Sequence, residues 1–504
     1  MIGGFATPEA TESDTKKHST YHYGELNGTG LLVSQAGFGC YRADISLPTH
    51  KEALRAALLG GINLIDTSSN YGDGGSEKLV GVVLQELISS GDLRRESVVV
   101  VSKVGYLQGQ NYQLSQERKR KGDPFKELVL YAEGLEHCIH PEFLKDQLTR
   151  SLARLEMTTL DFYLLHNPEY FLSWANKTGI SLDEARENYY DRIKRAFQHL
   201  EGEVEGGRIK YYGISSNTFP YPATNPEFTS LQTIWEIAES ISRQHHFRLI
   251  QLPMNLLETG AVTESNQANG QSVLEFAREK NLGVLINRPL NAIDGNRLIR
   301  LADVDSRKPA SEDEINARIE ALVRSEQVLK NRVLPELNLT SYPQQQIMEQ
   351  ISIGEILRHH WRKFGTYERW QELQSSYFLP RFLGVVQFLS QNLDLTEEAS
   401  NWIASHKELL EETFGSVASI YQGAAAEKSA QLRAMVSPVD KEWAEAQPLS
   451  QMAVRALRST AGITTVLVGM RQEAYVKDVL EELGRQVKIQ ERTESWHKLG
   501  KMRM

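Results

Sequence analysis

Eight short apolar, β-branched runs, each bounded by turn residues and separated by stretches of helical period, constrain this chain more than any other feature. In order they are Val33–Gly39, Ile62–Thr67, Val98–Lys103, Leu160–His166, Ile209–Ser215, Leu249–Asn255, Gly283–Arg288 and Thr465–Gly469. Near-continuous apolar runs suit strands buried on both faces, as parallel strands are. Between them Leu144, Leu148, Leu152 and Leu155 form one amphipathic stripe; Ile193, Phe197 and Leu200 form a second, and Ile234, Ile237 and Ile241 a third. Eight βα units close most economically into a (β/α)8 barrel, with a doubly wound sheet as the competitor. The segment Leu26–Val33, around Gly28-Thr29-Gly30, reads as a hairpin that would plug the N-terminal end of such a barrel.

The spacing is uneven in one place. About 175 residues separate the seventh run from the eighth, far more than one βα unit needs. They are helical by period, with Ile315, Ile319, Leu322 and Val323 on one stripe and Trp402, Leu409, Phe414 and Val417 on another. Pro335, Pro343, Pro380, Pro438 and Pro448 divide them into several helices. The expected organisation is therefore a flexible N-terminus over 1–20, hairpin and strands 1–7 over 21–294, a helical insertion over 295–445, and the last helices with strand 8 over 446–504. Insertions at that point of a barrel open toward the C-terminal face, so the insert is expected to shape or cap a pocket there. Two lesser excesses follow the third and fourth strands, at Leu107–Cys138 and Glu169–Asn188.

Composition narrows the partners. Hydrophobic residues are 40% and charged residues 24% of the 504, enough for a sizeable core and too much for a disordered chain. The formal net charge of −9 argues against nucleic acid or an anionic membrane as the main partner. The chain has only two cysteines, Cys40 and Cys138, too few to staple it, and no long apolar run or secretory leader, so a cytoplasmic location is expected.

In a barrel, polar residues at strand exits carry the chemistry. Asp66 ends the second strand and Tyr71 follows in Asp66-Thr-Ser-Ser-Asn-Tyr71-Gly72; Lys103 ends the third strand and His166 the fourth. A carboxylate, phenol, ammonium and imidazole converging in one mouth suit proton transfer to a carbonyl oxygen. A phenol with an ordinary pKa near 10 is a poor acid unless a cation stabilises its anion. Lys103 would supply that cation, Asp66 would hold Lys103, and His166 would polarise the carbonyl.

The segments Gly24–Gly39 (GELNGTGLLVSQAGFG), Gly61–Gly72 (GINLIDTSSNYG) and His140–Pro168 (HPEFLKDQLTRSLARLEMTTLDFYLLHNP) resemble, in order, the hairpin, the Asp–Tyr strand and loop, and the His-bearing helix and strand of the aldo/keto reductase superfamily. The resemblance implies a (β/α)8 fold, a nicotinamide cofactor and reversible carbonyl reduction, with Asp66, Tyr71, Lys103 and His166 as the catalytic set. It also implies cofactor contacts at Gly39, Asp66, Ser215, Ser216, Gln251, Arg288, Leu290, Gly469 and Arg471. Arg471 suits a 2′-phosphate, favouring NADP(H) over NAD(H). Substrate contacts are expected at Tyr41, His166 and Tyr170, in loops that also carry Arg42 and Asn291. The other function class is an NADP-binding sensor or assembly subunit with vestigial catalysis. A metal-dependent hydrolase is a distant third, and no metal is expected.

Other features read blandly. Gly72–Ser76 is a turn and cap before a helix. His245-His246 and His359-His360 suit surface or capping roles, since adjacent residues diverge too much to share one metal. Arg118–Lys121 reads as a solvated loop, and Trp361, Trp370, Tyr377 and Phe378 as core.

Overall fold

The computed structural model describes residues 1–502 apart from 296, 305–307, 338, 340 and 393–394. The chain divides into two compact units: Met1–Leu301 together with Met435–Met504, and Ala302–Ala434.

The first unit begins with helix α1 (Pro8–Thr15), started by a proline and capped by the Thr7 hydroxyl, which accepts from Ala10 N–H. The 1–20 segment is therefore structured where a flexible terminus is expected. Ile2 bridges to Met157, and Ala6 N–H donates to Asp161 Oδ1 at 2.7 Å. Backbone hydrogen bonds hold it, and these leave no hydrophobic period to read in the sequence.

Strands β1 (Tyr23–Leu26) and β2 (Leu31–Ser34) form the expected antiparallel hairpin. Eight parallel strands follow and close on themselves: β3 (Ala36–Gly39), β4 (Leu64–Asp66), β5 (Val99–Val104), β9 (Leu160–His166), β10 (Ile209–Ser215), β11 (Phe247–Pro253), β12 (Gly283–Asn287) and β15 (Thr465–Val468). The fold is thus a (β/α)8 barrel. Helices α2 (Pro48–Leu59) and α3 (Gly75–Ser89) fall in the first two crossovers. Helix α5 (Pro141–Leu155) buries Leu144, Leu148, Leu152 and Leu155, and α7 (Leu182–Glu205) buries Ile193, Phe197 and Leu200.

Leu26, Leu31 and Val33 of the hairpin pack with Leu64, Val99, Phe162, Leu249, Leu285 and Leu467 from inside the barrel. The plug is tight. A Cβ on Gly283, at the start of β12, would come within 2.7 Å of Leu26 Cδ2. The hairpin therefore closes the N-terminal end, and the opposite ends of the strands are left for chemistry.

The excess after the third barrel strand is an accessory sheet in the order β6 (Tyr106–Leu107), β8 (Leu135–His137), β7 (Val129–Ala132), with helix α4 (Gly109–Arg120) between β6 and β7. The basic run lies in and just after the last turn of α4 and is not a solvated loop. Arg118 pairs with Asp123 and Glu142, and Lys119 with Glu136, because cations at a helix C-terminus meet both its dipole and facing carboxylates. After β9 come helices α6 (Tyr170–Thr178) and α7.

A hairpin of β13 (Asn291–Asp294) and β14 (Arg297–Arg300) follows β12 and belongs to the barrel unit, so the helical unit is shorter than the expected 295–445. The helical unit has its own core, in which Ile315, Ile319, Leu322, Val323, Trp361, Trp370, Trp402, Phe414 and Val417 are buried. Tyr377 departs from expectation: it is exposed while its neighbour Phe378 is buried, since consecutive residues on a helical turn face different directions. His245 is also buried, edge-on to Trp235, instead of lying on the surface. No helix among the described residues is long and apolar enough to cross a membrane.

Candidate active site

Strands β4, β5 and β9 are consecutive neighbours in the barrel, so Asp66, Lys103 and His166 leave it side by side. The loop after β4 folds back over them. Thr67 N–H and Ser69 N–H donate to Val101 O and Lys103 O, and Gly72 (φ 56°) and Gly74 (φ 89°) take the left-handed turns that return the chain into α3. This loop brings Tyr71 down onto Lys103.

Lys103 is fully buried and uses all three of its donors. Its ammonium donates to Asp66 Oδ2 at 2.7 Å, Thr67 O at 2.9 Å and Tyr71 Oη at 3.2 Å. The other Asp66 oxygen accepts from Gln251 Nε2 at 2.7 Å, while Gln251 Oε1 accepts from Ser215 Oγ at 3.0 Å and Asn287 Nδ2 at 3.4 Å. One chain of hydrogen bonds thus crosses the barrel mouth from Asn287 to the Tyr71 phenol. Burial alone would lower the Lys103 pKa, but Asp66 and Tyr71 outweigh it and hold the ammonium above its ordinary value.

Tyr71 is half-buried, edge-on to Tyr41 (ring centroids 5.4 Å apart) and to His166 (5.9 Å). Burial pushes its phenol up to about 12, with Lys103 pulling down and Asp66 adding to the rise. The expected role of Lys103 is therefore only half the balance: the cation is in place, but desolvation of the anion is larger, so the free protein keeps Tyr71 as a proton donor. His166 Nδ1 lies 3.1 Å from Ser68 Oγ. Burial, and then the Lys103 charge, hold the imidazole well below its usual value, which makes it neutral.

Of the other residues expected at a site, Gly39 pairs in register with Asp66, and Ser215 pairs with both His166 and Gln251, so these gather at the mouth. The Ser216 side chain does not join them, since it lies among the buried hydroxyls of Thr218 and Thr229, while its N–H donates to Gln251 O at 3.0 Å. Arg288 sits in the left-handed region (φ 54°) with its guanidinium 2.7 Å from Glu258 Oε1, and Leu290 beyond it is buried. Gly469 and Arg471 follow β15; Gly469 has open space about its Cα, and Arg471 is half-exposed with no ion pair among the described residues. Tyr170 lies one ring further out, stacked on Tyr131 at 4.1 Å and edge-on to Tyr106 at 5.2 Å. Ser68, Tyr106, His137, Glu169, Glu258 and Asn287 are site residues that sequence reasoning misses. Only Ser68 carries a signal, its place inside the Asp66–Tyr71 loop.

A sequence model described as the aldo/keto reductase family matches residues 34–330, from the hairpin through all four residues of this constellation and past β12. The chain belongs to the aldo/keto reductase family. Within that family it resembles an NAD(P)H-dependent D-xylose reductase of Scheffersomyces stipitis, with 24% identity over 194 residues (37% of this chain, 50% of the relative). An NADH-specific methylglyoxal reductase of Escherichia coli is 29% identical over 166 residues (31% of this chain, 45% of the relative). The chain spans about half the length of the curated relatives it matches. Among solved structures, a glycerol dehydrogenase of Gluconobacter oxydans aligns over 95% of this chain and 94% of its own, at 15% identity and a TM-score of 0.44.

Proposed function

We propose that this aldo/keto reductase is an NADPH-dependent oxidoreductase that interconverts an aldehyde or ketone, sugar-derived carbonyls included, and the corresponding alcohol. The observation that carries the reading is the buried Lys103 ammonium, which donates at once to Asp66 and to the Tyr71 hydroxyl. Such an arrangement keeps a proton on Tyr71 until a neighbouring oxygen needs it, then faces the resulting phenolate with a fixed cation. The neutral His166 ring beside Tyr71 orients a carbonyl oxygen without competing as a proton donor.

The residues of this chain fit a dinucleotide. Asn287 Oδ1 is buried without a hydrogen-bond partner among the described residues, on the side chain that donates to Gln251, and so suits an amide N–H. Arg471, with no ion pair among the described residues, suits a phosphate, which favours NADPH. Gly39, Asp66, Ser215, Gln251, Leu290 and Gly469 would line the path between these two ends. Ser216 and Arg288 would act through their loops, since their side chains are engaged elsewhere. When bound, the cofactor supplies the hydride; the chain supplies the proton and the geometry. Relatives that reduce xylose and methylglyoxal support small carbonyl substrates, with Tyr41 and Tyr170 as walls of the pocket. The test follows NADPH absorbance over a carbonyl panel in wild type and Tyr71→Phe. Turnover is expected in the first and its near-complete loss in the second, and equal rates would sink the mechanism.

A further inference from the structure

The accessory sheet after β5 reaches the reaction centre through Tyr106 and His137, and the His137 contact is a hydrogen bond to the His166 backbone. In the parallel ladder between β5 and β9, Lys103 pairs with Leu164 and Val104 with Leu165. The ladder then stops, because the chain leaves the barrel at Gly105 and enters β6, where Tyr106 pairs with His137 of β8. The His166 carbonyl, which a continued β5 would meet with a backbone amide, instead receives His137 Nε2 at 2.7 Å. A carbonyl only accepts, so Nε2 carries the proton and the His137 tautomer is fixed.

The surroundings of His137 and His166 build this bond in. His137 is 1% exposed, and burial lowers its imidazole to about 4, so it stays neutral and donates to the carbonyl at ordinary pH. A Cβ at position 105 would lie 2.5 Å from both His137 Nε2 and His166 O, so only glycine lets the two approach. Tyr106 lies edge-on to both rings, 4.7 Å from His166 and 5.7 Å from His137, while its hydroxyl accepts from Asn167 Nδ2 at 2.8 Å. On the other side Asn167 N–H donates to Ser215 O at 2.7 Å, so the peptide that follows His166 is clamped from both neighbours.

The geometry points to His137 as a positioning residue: through the His166 carbonyl it fixes the His166 imidazole over the reacting oxygen, and the accessory sheet is thereby part of the active centre. This rests on His166 being the residue that orients the carbonyl. A donor that holds a carbonyl-orienting ring contributes to kcat and leaves cofactor affinity alone.

The test compares His137→Leu, His137→Gln and Gly105→Ala with wild type. His137→Leu and Gly105→Ala are expected to lower kcat roughly 10- to 100-fold with the KM for NADPH unchanged. His137→Gln, whose amide reaches the same oxygen, recovers most of the loss. Full activity in His137→Leu, or an equal loss in His137→Gln, overturns the proposal. A second readout does not depend on turnover. The ring 15N resonances of His166 are expected to be those of one neutral tautomer at pH 6 in wild type and in His137→Gln, and to shift or broaden in His137→Leu. If wild type turns over no carbonyl, the functional reading fails, while unchanged His166 resonances in His137→Leu overturn the positioning role on its own.

Discussion

Lys103 and Asp66 lie 2.7 Å apart with side-chain exposures of 0% and 5%, at the exits of adjacent strands. An ion pair this deep is worth little as a net source of stability, because desolvating both charges offsets their attraction. Its worth is chemical. It places a cation against the Tyr71 hydroxyl at a point where water cannot screen it.

Removing one partner should expose both roles. Lys103→Met leaves Asp66 as a buried carboxylate held only by Gln251, and should cost about 3–5 kcal/mol of stability by urea unfolding. Carbonyl reduction should fall by roughly 100- to 10,000-fold, as expected when a proton donor loses the cation that faces its anion. A variant that loses stability but keeps its turnover would show Lys103 to be structural only.

The alkaline limb of the rate profile follows from the Tyr71 environment. In the proposed reduction the phenol is the donor, and it stays protonated below a pKa pushed up to about 12. The value of kcat/KM for reduction, which reports ionisations of the free enzyme, should therefore stay level through pH 10 and decline only as the pH nears 12. His166, neutral because its own pKa lies well below the usual range, should add no acidic limb near pH 6.5. A decline centred near pH 8 would contradict the Tyr71 assignment.

The barrel was legible in the sequence because its strands are short apolar runs bounded by turns, and because α5 and α7 carry clean apolar stripes. The four residues at the mouth were legible for a related reason: Asp66, Lys103 and His166 sit at strand exits, where position along the chain translates directly into position in space. What escaped were contacts made across loops. Nothing local marks His137 as lying against the His166 carbonyl, since β8 is three residues long and its pairing with β6 spans the whole of α4 and β7. Ser216 and Ser215 look equivalent in sequence, yet successive side chains at a strand end face opposite ways, and of the two hydroxyls it is Ser215 Oγ that bonds the Gln251 side chain. The sign of the Tyr71 shift was likewise hidden, because it depends on how much of the phenol is desolvated, a quantity that pattern does not carry.

Glu169 makes the folded state itself titrate near neutrality. The residue is 3% exposed; Oε1 accepts from Asn217 N–H at 2.8 Å, but Oε2 is buried without a hydrogen-bond partner among the described residues. Burial raises its pKa from 4.5 to about 7, against the pull of the hydrogen bonds it accepts. The folded state therefore binds this proton more tightly than the unfolded chain does, so the stability it contributes is fully present below pH 4.5 and is lost as the pH rises through 7. The loss should be on the order of 3 kcal/mol. Glu169→Gln keeps an acceptor for Asn217 N–H and removes the titration. Its unfolding free energy relative to wild type should thus shift in favour of glutamine by a similar amount between pH 5 and pH 8, whatever constant offset the buried amide introduces. Parallel stability curves for the two proteins across that range would show that Glu169 stays ionised and partnered, and that the loop after β10 is not held by a protonated carboxyl.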